Sequence, residues 1–67
     1  MEQIFKLGSV STAAKARRVL LTQSIRGRMT KTDTSSDGCA WGIAVEGRDA
    51  ERAVRILRAE GIRYEAL

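Results

Sequence analysis

Apolar and polar residues alternate over Gln3-Ile4-Phe5-Lys6-Leu7, the period-two rhythm of a strand, and Gly8-Ser9 breaks it. The rhythm then lengthens. Ala13, Ala16, Val19 and Leu20 recur at helical spacing up to Gln23, with Lys15, Arg18 and Thr22 on the opposite side. Ser9, Ser11 and Thr12 are each suited to cap that helix. Alternation around Met29 predicts a second strand over 26–32, and Asp33-Thr34-Ser35-Ser36-Asp37-Gly38 has the composition of a hairpin loop. Cys39, Trp41, Ile43 and Val45 then share one face of a third strand, while Ala40, Gly42 and Ala44 share the other. Gly47-Arg48-Asp49 opens a second helix, with Asp49 as cap or first-turn acid and Ala50, Ala53, Val54, Ile56 and Leu57 as its apolar face. Gly61 is placed to end it in the left-handed conformation, and 62–67 predicts a short last strand.

The order βαββαβ, without repeat or linker, predicts one α+β domain over 1–67 with the ferredoxin-like split βαβ architecture. That is a four-stranded antiparallel sheet in spatial order 4-1-3-2 with both helices on one face. The topology brings the start of the third strand to the end of the molecule where the first strand finishes and the first helix begins. Cys39 is therefore expected near Gly8, Ser9, Ser11 and Thr12. The other face of the sheet has no helix to cover it. Its small residues Ala40, Gly42 and Ala44, with Lys6 and Arg28 beside them, make a homodimer through that face the expected assembly.

Composition narrows the chemistry further. The chain has 67 residues with one cysteine, no histidine and no proline. A single cysteine forms no internal disulfide and has no resolving thiol, so a dithiol cycle within one chain is excluded. Without histidine the usual Cys/His metal sites and the Cys-His hydrolases are excluded too, and no cofactor is expected. The first residues lack the basic segment and apolar run of a signal peptide. No apolar stretch approaches the ~20 residues that span a bilayer. A soluble cytoplasmic protein with no membrane partner is the expectation.

Residues 1–35 hold seven Lys/Arg against Glu2 and Asp33, a surplus of five, whereas residues 36–67 hold five against six acids. A basic half attracts anions, yet Arg17-Arg18 and Arg52-Arg55-Arg58 read as solvated helix faces, and Trp41 reads as core. A sheet-surface nucleic-acid binder would need outward aromatics, so nucleic acid is not the expected partner.

Cys39 admits two roles. It is a small buried hydrophobe beside Trp41 and Ile43, and the chain is then a small dimeric interaction or regulatory module, or it is a thiolate activated by the helix start and kept reachable by Ser35, Ser36, Asp37 and Gly38. One activated thiolate can hold a group covalently, as a persulfide or a selenium adduct, and hand it on. Gly8-Ser9-Val10-Ser11-Thr12 offers free N–H groups for a small anion, or plain helix capping.

The stretches Gly8-Ser9-Val10-Ser11, Ala14-Lys15-Ala16, Leu20-Leu21 and Gly38-Cys39-Ala40-Trp41-Gly42-Ile43, followed by Asp49, Ala53-Val54, Leu57 and Gly61-Ile62, resemble the small bacterial domains grouped as selenium/sulfur carrier protein-like. The resemblance spans nearly the whole chain. It departs in having no proline ahead of the loop, and in having Gly38 before the cysteine and Ala40 after it. The resemblance implies a carrier or accessory protein, not an enzyme, with Cys39 as the carrier thiol. Gly8, Ser9, Ser11 and Thr12 would then stabilise the anion, and the 34–38 loop would admit donor and acceptor proteins.

Overall fold

A computed structural model describes residues 1–33 and 40–67. The chain runs through β1 (Glu2–Gly8), α1 (Val10–Thr22), β2 (Arg28–Asp33), β3 (Ala40–Glu46), a 3-10 turn at Gly47–Asp49, α2 (Ala50–Ala59) and β4 (Glu65–Ala66). The strands lie in the order β2-β3-β1-β4 with every pairing antiparallel, which is the ferredoxin-like βαββαβ arrangement.

The period-two pattern decides which face each strand residue takes. Phe5 and Leu7 of β1 and Ile43 and Val45 of β3 are buried with Ala13, Ala16 and Leu20 of α1 and Ala53 and Leu57 of α2. Both helices therefore pack on this one face. The alanines at the helix seams let the helices sit close to the sheet, and leave Phe5, Leu20, Ile25, Ile43 and Leu57 as the bulk of the core.

The two helices end by the same device. At α2 the Ile62 N–H bonds to the Leu57 carbonyl (2.9 Å) and the Gly61 N–H to that of Arg58 (3.0 Å), with Gly61 at φ 70°. At α1 the Ile25 N–H bonds to Leu20 (2.9 Å) and the Ser24 N–H to Leu21 (3.0 Å), with Ser24 at φ 64°. Each is a Schellman closure, and each carries the apolar contact that accompanies it, Ile25 with Leu20 and Ile62 with Leu57, all four buried. Serine holds at 24 the conformation that glycine holds at 61. Removing its Cβ relieves left-handed strain but also frees the unfolded chain. Ser24→Gly is accordingly expected to stabilise the domain by a net ~0.5–1 kcal/mol. For a chain of this size that is a rise of roughly 2–8 °C in Tm, read by circular dichroism. An unchanged or lower Tm would refute the strained serine.

These closures explain where the element ends depart from the sequence pattern. Ile62 falls in the predicted last strand but is spent on sealing α2, so β4 shrinks to Glu65–Ala66, and β2 begins at Arg28, two residues after the predicted start. The first helix starts at Val10, immediately after the Ser9 cap, ahead of the alanine pattern. Asp49 stands at the α2 cap position, but its carboxylate faces Arg52 Nη1 at 3.7 Å rather than a backbone N–H.

Candidate functional site

β1 ends and α1 begins with a single residue between them. The ladder shifts register there: Lys6 opposes Gly42, whereas Gly8 opposes Trp41. Gly8 takes φ 97°, a conformation that side-chain-bearing residues rarely adopt. Ser9 then caps the helix in extended backbone. Its Oγ accepts the Thr12 N–H at 3.1 Å and lies 2.9 Å from Thr12 Oγ1, while its carbonyl accepts the Ala13 N–H at 3.0 Å. Ser11 is exposed. Gly8, Ser9, Ser11 and Thr12 are thus one cluster. Within it the Ser9 and Thr12 hydroxyls serve the cap, and the Val10 and Ser11 N–H groups stand at the open end of the helix. The first turn holds no acidic residue, so the positive end of the helix dipole is not offset there.

Cys39 and the loop residues Ser35, Ser36, Asp37 and Gly38 lie outside the described residues. What is described is the strand that follows. β3 begins one residue after Cys39, at Ala40 opposite Asp33, and its Trp41 is the residue paired with Gly8. Trp41 is half-buried on the helix-covered side, packed against the core, with Lys31 Nζ 5.8 Å from its ring centroid. That cation–π contact ties the end of β2 to the start of β3.

The sheet's other face carries Glu2, Ile4 and Lys6 of β1, Gly42 and Ala44 of β3, and Arg28 and Thr30 of β2, by the same alternation. The small residues Gly42 and Ala44 are buried. Ala44 is only 2% exposed, and a Cβ placed on Gly42 would stand 2.5 Å from the Thr32 methyl. Arg28 Nη2 reaches Glu2 Oε1 at 2.9 Å, and because β3 lies between β1 and β2 this pair spans the central strand beside Ala44. Glu2, Arg28 and Ala44 of this face also line a cleft of about 510 Å³ that continues to Arg48 and Asp49.

Among the described residues no group of three or more cysteine, aspartate or glutamate side chains is placed to hold a metal ion. No helix among them is long and apolar enough to cross a membrane. No family model matches the chain, and neither does any curated protein or solved structure.

Proposed function

We propose that this chain is a thiol carrier of the reducing cytoplasm, holding a persulfide or selenium-type group on Cys39 between a donor and an acceptor protein. The observation that carries the reading is the Gly8–Trp41 pairing. It sets the uncompensated N-terminus of α1 beside the strand that starts one residue after the only thiol in the chain. The resemblance of the Gly38-Cys39-Ala40-Trp41-Gly42-Ile43 segment to selenium/sulfur carrier-like domains points the same way.

The chemistry asked of the chain is small. The Cys39 thiolate attacks the outer sulfur of a donor persulfide, the donor's S–S bond breaks, and the donor leaves as its own thiolate with no net oxidation. The helix start favours both the thiolate and the persulfide anion. An acceptor's nucleophile takes the sulfur off in the reverse sense, so turnover belongs to the partners.

The test is intact mass of the reduced protein after incubation with a cysteine desulfurase and free cysteine, run beside Cys39→Ser. The expected result is a gain of one sulfur atom on the wild type alone, reversed by reductant, with alkylation titrating below the free-cysteine value of ~8.5. An unmodified, slowly alkylated thiol would overturn the carrier reading and make Cys39 a structural residue.

A further inference from the structure

α1 has a second apolar stripe, and it faces away from the core. Ala13, Ala16 and Leu20 are buried against the sheet, whereas Val10 is 49% exposed, Leu21 is 55% exposed, and Ala14 between them is also exposed. Positions 10, 14, 17 and 21 repeat as i, i+4, i+7 and i+11, so Val10, Ala14 and Leu21 line one side of the helix with Arg17 among them. At 1.5 Å per residue the stripe is about 16 Å long, three turns.

Among the described residues, the charges on α1 and in the cleft beside its last turn have one sign. α1 carries Lys15, Arg17 and Arg18 and no acidic residue. Where its last turn meets the start of β2, a cleft of about 320 Å³ is lined by Arg17, Leu21, Arg26 and Gly27, again with no carboxylate. The larger cleft on the far side of Gly27 differs, since Arg26, Arg28 and Arg48 share it with Glu2, Glu46 and Asp49 and its charge is internally balanced.

We propose that this face of α1 docks an amphipathic helix of a partner protein, one whose apolar stripe is flanked by acidic side chains. The spacing of Val10, Ala14 and Leu21 matches the ridge of a facing helix. Ala14 lets the two backbones approach, Arg17 within the seam is placed to pair with a carboxylate of the partner, and Arg18 and Arg26 stand where further carboxylates would flank it. The one-signed charge supplies steering and orientation, and the exposed aliphatic ends supply the contact area. A nucleic-acid strand fits less well. It would need an aromatic platform, and Phe5 is buried while Trp41 and Tyr64 are half-buried. The surface makes no use of Cys39, so it stands apart from the carrier reading.

The experiment is a titration of the isotope-labelled chain, followed by amide NMR, with three probes. The first is a synthetic peptide of about 18 residues, long enough to hold a helix, with Leu at helical spacing and Glu on both flanks. The second is its scrambled counterpart of identical composition, and the third is an oligothymidylate. The expected result is perturbation centred on Val10, Ala14, Arg17 and Leu21 by the first peptide only. Leu21→Asp and Arg17→Glu should each weaken binding by about tenfold or more. Both positions are exposed, and the unbound spectra check that the fold is retained. Equal binding of the scrambled peptide, no binding of the designed one, indifference to Leu21→Asp, or an oligothymidylate response at the same amides would each overturn the proposal.

Discussion

Phe5→Ala is expected to remove a large share of the domain's stability and to lower its urea midpoint sharply. Phe5 is 1% exposed at the middle of β1, where it is paired with Ile43 of β3 on one side and Ala66 of β4 on the other. Its ring meets Tyr64 edge to face, with centroids 5.6 Å apart and planes at 88°. Truncation removes the largest side chain of the core and the contact that holds the segment before β4 against the sheet. Buried Phe→Ala changes cost about 3–5 kcal/mol. At roughly 0.05–0.15 kcal/mol per residue, a chain of this length has only about 3–10 kcal/mol in total. Urea unfolding followed by far-UV circular dichroism measures the loss. Leu21→Ala is the control: it removes an apolar group, though a smaller one, from a position 55% exposed, where the expected change is within about 0.5 kcal/mol. Equal effects of the two substitutions would mean that the described core is not the one that holds the fold.

That contrast also marks what the sequence pattern could and could not tell. Period two placed Phe5 and Leu7 on one face of β1, and Ile43 and Val45 on one face of β3. With the helix periodicities, that is enough for element order, sheet order and the helix-covered face. The α1 start was legible only to within three residues, since Ser9, Ser11 and Thr12 each suit a cap and the alanine pattern begins at Ala13, but topology alone brings it beside the start of β3. Ser24 was not legible. A serine in the left-handed conformation has no signature of its own, and Ser24-Ile25 falls between the two predicted elements. The helix-free face was half legible. Its small residues follow from alternation, but the Arg28–Glu2 pair joins positions 26 apart in sequence across an intervening strand, so it depends on the exact register. The exposed stripe on α1 was hidden for a different reason. The spacing of Ala13, Ala16, Val19 and Leu20 marks the buried side, but only the packed helix shows Val10, Ala14 and Leu21 lined up and exposed beside it.

Register also governs Gly42→Ala, for which a loss of about 3 kcal/mol is expected, at the upper end of what overpacking costs. A Cβ on Gly42 would lie 2.3 Å from the Phe5 carbonyl oxygen and 3.1 Å from its carbon, as well as 2.5 Å from the Thr32 methyl. The methyl can turn aside. The carbonyl belongs to the neighbouring strand and can move only by pulling β1 away from β3, where the two central strands of the sheet are joined. Gly27→Ala makes the useful comparison, because the added Cβ meets only side-chain atoms, Ile43 Cδ1 at 2.3 Å and Cγ1 at 2.6 Å, with Val45 Cγ1 at 3.7 Å. Rotation of Ile43 relieves part of that clash, so Gly27→Ala should cost less than Gly42→Ala. Adding Thr32→Ser to Gly42→Ala separates the two obstacles at position 42. It removes the methyl and keeps the hydroxyl, so the fraction of stability it restores, beyond its effect on the wild type, measures the side-chain share of the clash. With the Phe5 carbonyl as the main obstacle, less than half should return. Near-complete recovery in urea unfolding would transfer the constraint from the β1–β3 backbone to Thr32.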